Sequence, residues 1–258
     1  MKPVSRSADP VSLDETMSRG WQALTEELVD GWRCRFSGGV TKRANSVLPL
    51  SEPRDVAAAI SGIEDRYAGK GLPAVFQISP DSLPTDLDAL LAERGYLLDS
   101  PTLVQYLPLE DSGNQPPVPV DARIELSGLP GQGWLNAFWE VEGPHGAPQQ
   151  GISRDILANT DSIYASLAVD GAIEAVARLA LVGNLGGIYS VATREAFRSR
   201  GHGRAVVRAL LVEASRLKLA GVWLQVVESN LVARALYESM GFESVSRYHY
   251  RVGPAARL

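Results

Sequence analysis

Apolar positions along the chain switch repeatedly between the two-residue period of strands and the three-to-four-residue period of helices. In the first half, positions 12–29 place Met17, Trp21, Leu24 and Leu28 on one helical face, with Ser12 and Glu15 spaced as a capping box and Gly31 as the stop. Positions 32–36 read as a strand, Ser37-Gly38-Gly39 as a turn and 44–50 as a second strand, together a hairpin. A helix over 54–68 behind Pro53, a strand over 72–78, a helix over 83–94 ended by Gly95 and a strand over 102–107 complete this half.

The second half begins with a strand over 123–126. A helix over 133–141 follows, carrying Trp134, Phe138 and Val141 on one stripe, and then a short helix over 153–158. Strands 162–169 and 172–181 meet at Asp170-Gly171, a strong hairpin signal. The strand 187–193 runs through Arg198-Ser-Arg-Gly-His-Gly-Arg204 into a helix over 204–219, whose Val206, Val207, Leu210, Leu211, Ala214 and Leu217 recur at helical spacing. Strand 222–227, a short helix with Ala233, Leu236 and Tyr237, the stop Gly241-Phe242 and a strand over 245–252 end the pattern.

The halves resemble each other. Gly71-Leu-Pro-Ala-Val-Phe-Gln-Ile matches Gly221-Val-Trp-Leu-Gln-Val-Val, and Leu87 to Tyr96 matches Ala233 to Phe242. Both matches sit at a spacing of about 150 residues, as expected of a duplicated unit. Positions 108–119 cluster proline and glycine without periodicity, which predicts a linker over 109–119 between domains at 1–108 and 120–258. The first half lacks the Arg-x-x-Gly-x-Gly loop, having Leu50-Ser-Glu-Pro-Arg-Asp55 before its helix, and Leu91 stands where the second half has Tyr237.

Composition narrows the function. With 258 residues, 45% apolar and 21% charged, the chain is that of an ordinary globular protein, and its net charge of −5 argues against nucleic acid as a partner. That acidity also leans towards a cationic ligand. The single cysteine, Cys34, alternates with Trp32 and Phe36 as a packing residue and allows no intrachain disulfide. Neither a signal peptide nor a membrane span is legible, so a cytoplasmic protein, a monomer or homodimer, is expected. No metal-ligand spacing occurs.

The glycine-arginine loop suggests an anion site. Glycines let the backbone approach a phosphate, the helix start offers free N–H groups, and the arginines add charge. Arg-x-x-Gly-x-Gly at 198–203, with Asn230, Leu236-Tyr237 and Gly241-Phe242, resembles the acetyl-CoA-binding half of the GNAT acyltransferase superfamily over residues 188–252. The resemblance implies an α/β (α+β) fold of two GNAT-like units, each a mixed, mostly antiparallel sheet flanked by helices, with the first unit degenerate. It implies an N-acetyltransferase with acetyl-CoA as co-substrate and a small-molecule or peptide amine as acceptor.

The pyrophosphate would then lie on Arg198, Ser199, Arg200, Gly201, His202, Gly203 and Arg204, and the pantetheine arm along Ser190, Val191, Ala192 and Thr193. Asn230 and Ala233 would flank that arm, although Asn230 is also a plain helix N-cap. Tyr237 occupies the general-acid position, where a phenol protonates the leaving thiolate. The base stays open among Glu140, Glu142, His145, Glu174 and Glu228. Some superfamily members carry an acid at the place of Gln225, and an amide cannot serve. A module that binds acyl-CoA without turnover is the alternative reading.

Overall fold

The structure, a computed structural model, describes residues 12–109, 123–143 and 146–254. Most of the expected linker, and His145, lie outside the described residues.

The first helix, α1 (Leu13–Gly20), is held by Ser12, whose Oγ accepts the Glu15 N–H at 3.1 Å. It is far shorter than the expected 12–29. Gly20 meets the second half closely: its carbonyl accepts from Arg178 Nη1 at 2.9 Å, and a Cβ there would stand 2.7 Å from the Tyr189 hydroxyl. Beyond it the chain becomes a strand, β1 (Thr25–Val29), joined to β2 (Trp32–Phe36) by Asp30-Gly31, both at positive φ. Leu24 and Leu28, read as helix core, are exposed at 38% and 72%. The strand β3 (Val47–Leu48) pairs antiparallel with β2 but is only two residues long. Asn45 explains this: its side chain bonds the backbone of Ser37, Gly39, Val40 and Thr41, holding the preceding residues as a loop. Then come α2 (Val56–Ala68), β4 (Val75–Ile78), α3 (Leu87–Glu93) and β5 (Leu97–Pro108).

The second half supplies β6 (Ile124–Ser127), α4 (Gln132–Val141), α5 (Ala147–Ala158), β7 (Ser162–Val169), β8 (Ala172–Val182) and β9 (Leu185–Thr193). It continues with α6 (His202–Arg216), β10 (Gly221–Val227), α7 (Leu231–Glu238) and β11 (Glu243–Val252).

Strands of both halves join one eleven-stranded sheet, in the order β1-β2-β3-β4-β11-β5-β10-β9-β8-β7-β6. Its centre is an exchange. The last strand of the first half, β5, lies between β10 and β11, and the last strand of the second half, β11, lies between β4 and β5. Among the described residues only β3–β4 and β9–β10 pair in parallel. Successive side chains of a strand face opposite ways, and Leu103 and Val104 of β5 accordingly enter different cores. One face packs on α1, α4 and α5 through Met17, Trp21, Trp134, Phe138, Tyr189 and Tyr248. The other packs on α6 and α7 through Val206, Leu210 and Tyr237, and on α2 and α3 through Ile60, Ile63, Leu87 and Leu91.

Candidate functional site

The parallel pair β9–β10 does not stay paired. Its ladder runs from Leu185 opposite Gly221 to Ile188 opposite Leu224 and stops. Past that point β9 follows β8 as far as Thr193, and β10 follows β5 as far as Val227. A bulge drives the parting: Ser190 sits at φ 52°, and β9 there spends one residue more than β8. The segments 189–193 and 225–227 therefore turn backbone edges towards a gap, and an unpaired strand edge accepts an extended, amide-bearing ligand.

At the end of β9 the chain loops through 194–201 into α6. Gly201 takes φ 80°, and the first helical bond runs from Ala205 N–H to the Gly201 carbonyl. No side chain caps the helix, so the N–H groups of His202, Gly203 and Arg204 point outward unclaimed among the described residues. The corresponding start of α2 is closed: the Asp55 carboxylate accepts the Ala58 N–H at 3.0 Å, and Asp30 accepts that of Arg54. An anion already stands there.

The flanking side chains divide. Arg198 is exposed and donates from Nε to the Thr193 carbonyl at 3.3 Å, while Ser199, at φ 61°, shapes the loop. Arg200 lies 5.2 Å above the Phe197 ring, and Arg204 is drawn to Ser239 Oγ, linking α6 to α7. A Cβ on Gly203 would meet Thr193 Oγ1 at 3.3 Å. His202 is buried, its Nδ1 2.8 Å from Glu174 Oε2, a close contact rather than an aligned hydrogen bond. Asn230 caps α7, accepting the Ala233 N–H at 3.1 Å.

Tyr237 is buried on α7 with its ring edge-on to Phe242, and among the described residues its hydroxyl bonds to nothing. Burial pushes its phenol well above the ordinary value, and the charge of Glu142 adds to this. Glu142 closes α4 on the opposite face of the sheet. Glu142 is exposed as a residue, yet protein crowds its carboxyl, and this desolvation raises its pKa against the pull of Arg43 and Arg198.

The other acids are placed differently. Glu140 pairs with Arg194 at 3.1 Å, Glu174 faces His202, and Glu228 lines a separate cavity of about 380 Å³ with Arg247 and His249. Gln225 Nε2 donates to Met17 Sδ at 2.9 Å. Sequence reasoning missed Arg43. It belongs to the first half, in the 3-10 turn Lys42–Ala44, yet acts on both Glu142 and Tyr237. No local motif marks it.

A mixed sheet whose one splayed parallel pair opens beside an uncapped helix defines the GNAT class of N-acetyltransferases, and similar solved structures agree with that fold. The GCN5-related N-acetyltransferase from Kribbella flavida superposes with a TM-score of 0.66 at 14% identity, covering 95% of this chain and 96% of its own. A tandem GNAT protein from the clavulanic acid biosynthesis pathway gives 0.58 at 16% identity, covering 78% and 70%.

The chain belongs to the family described as probable histone acetyltransferase Rv0428c C-terminal, whose model matches residues 8–251. It is 25% identical to the uncharacterized N-acetyltransferase YobR of Bacillus subtilis over 246 residues, 93% of this chain and 97% of that one. A shorter match, 38% over 64 residues, links 24% of this chain to 43% of the ribosomal protein bS18-alanine N-acetyltransferase of Escherichia coli. The protein is a GNAT-type N-acetyltransferase. Among the described residues no helix is long and apolar enough to cross a membrane, and no cluster of three or more metal-ligating side chains occurs.

Proposed function

We propose that the gap between β9 and β10 takes acetyl-CoA, and that the acetyl group passes directly to a primary amine delivered from the Glu142 side. The observation that carries this is the parting of β9 from β10 past Ile188 and Leu224 beside the uncapped start of α6, with Tyr237 and Glu142 on helices packed against opposite faces of the sheet. The open start of α6 would hold the pyrophosphate, and the edge Ser190 to Thr193 would hold the amides of the pantetheine arm. What the co-substrate supplies is an acetyl thioester.

Glu142 is the base in this reading. A raised carboxyl pKa brings it closer to neutrality, where a base that removes a proton from an attacking ammonium works best. An unpaired β9 N–H beside the Ser190 bulge is available to the thioester oxygen. Tyr237 stays protonated at any physiological pH and gives its hydrogen bond to the departing sulfur. The peptide acceptor of the bS18 enzymes supports an amine as the nucleophile, and the acceptor is taken further below.

Glu142→Gln tests the base. With acetyl-CoA and a panel of amines, CoA release should fall by roughly 10²–10⁴-fold. The acid limb of the wild-type rate profile should lie above the ordinary glutamate range, because the folded pKa is raised, and should vanish in the variant. An unchanged limb would assign the base elsewhere, and no CoA release from the wild type with any amine would favour binding without turnover.

A further inference from the structure

Arg43 is an unusual cation. It comes from the first half and lies 6.0 Å from the centre of the Tyr189 ring. Its Nε is buried without a hydrogen-bond partner. Among the described residues no carboxylate comes within ion-pair distance of it, whereas Arg54 pairs with Asp30 at 3.1 Å. Arg43 also lines a small polar cavity of about 10 Å³ with Met17, Ser18, Trp21, Arg35, Gln77 and Gln225, where Gln225 Oε1 is likewise buried and unpartnered.

Arg35, on the same cavity, shows the contrast. Its guanidinium bonds the Ser46 carbonyl and Oγ and Gln77 Oε1, all within 3.0 Å, so it is a structural cation with its donors filled. Arg43 has no such set. A guanidinium offers five N–H donors in a flat fork that matches a carboxylate, and the half-buried Arg43 leaves its Nε unmatched. Its neighbours place it at the parting of the two strands: it lies over the Tyr189 ring and lines a cavity with Gln225, and these are the first residues beyond the β9–β10 ladder.

We propose that Arg43 seats a carboxylate carried by the acceptor, so that the acceptor is a small amine bearing a carboxylate a few bonds from its nitrogen, such as a free amino acid. The amine then faces Glu142 and the carboxylate faces Arg43, on opposite sides of one site. The first half of the chain thereby supplies the acceptor specificity of the second. This rests on the reading of Glu142 and the gap given above. It also sets the local charge against the acidity of the whole chain, which leaned towards a cationic acceptor.

The test is binding, so that it does not depend on turnover. The CoA-loaded protein is titrated by calorimetry with the free L-amino acids, with their C-terminal amides, and with a tripeptide whose carboxylate lies far from its amine. One or more free amino acids should bind at least tenfold more tightly than the matching amide and the tripeptide. In Arg43→Met that preference should collapse to within about twofold, a loss of roughly 10- to 100-fold for the acid as charge-assisted bonds are removed. Arg43→Lys keeps the charge without the fork and should fall between. Equal binding of acid and amide, tighter binding of the tripeptide, no binding by any of them, or a preference that survives in a folded Arg43→Met each overturns the proposal. CoA binding and amine acetylation, followed separately, report on the transferase reading itself, which stands or falls apart from the carboxylate seat.

Discussion

At the scale of single residues, the site is a set of chemically ordinary groups made useful by where they are buried. Tyr237 is a phenol whose pKa moves upward, so it is a poor source of a fully transferred proton and a durable hydrogen-bond donor. Tyr237→Phe keeps the ring against Phe242 and removes only the O–H. Turnover should fall by roughly 10²–10⁴-fold with little change in acetyl-CoA affinity, and the deficit should narrow at high pH, where a thiolate departs unaided. Steady-state kinetics beside a melting curve reads this; full activity in a stable variant would give the sulfur another donor. Tyr237 and Glu142 were legible as candidates because a motif or a loop position singled them out. Arg43 was not, since its neighbours Tyr189 and Gln225 lie about 150 and 180 positions further on and nothing in the sequence around it differs from a basic turn.

At the scale of elements, most helices and strands of the second half follow their apolar periodicity to within a few residues. The long helix expected over 12–29 fails for a physical reason: Trp21 and Gly20 dock on the neighbouring half, while Leu24 and Leu28 share helical spacing only by coincidence. The Asp30-Gly31 pair was a hairpin turn, not a helix stop. The parting of β9 from β10 is not legible in the periodicity, because a bulge at Ser190 leaves no mark in an apolar run. Asn230 separates cap from ligand contact. Asn230→Ala should cost about 1 kcal/mol as the cap of α7 is lost. Asn230→Asp retains the cap oxygen and removes the amide donor, so it should keep the melting temperature while weakening acetyl-CoA binding. Equal affinity in both Asp variant and wild type would leave Asn230 as a cap only.

For the whole molecule, the exchange of β5 and β11 makes the halves interdependent. Without the second half, β4 and β5 lose the strand between them; without the first, β11 loses both of its neighbours, and Tyr248 and Tyr250 lose their cover. Residues 1–109 and 120–258 produced separately should give no cooperative melt, and produced together should assemble. A cooperative transition from either piece alone would show that the exchange is dispensable. The repeat at a spacing of about 150 residues pointed towards two similar units, but periodicity carries no information on which strand lies beside which.

The central claim is that one chain holds one acetyl-CoA, at the gap between β9 and β10 and on the open start of α6, because Asp55 already occupies the corresponding start of α2. Calorimetric titration of the intact protein with acetyl-CoA tests it most directly, alongside Gly203→Val, whose Cβ meets only the side-chain ends of Thr193 and Leu236, at 3.3 and 4.0 Å, but would crowd a bound pyrophosphate. The account predicts one site per chain and loss of binding in a variant that still melts cooperatively. Two equivalent sites, or undiminished affinity in Gly203→Val, would contradict it.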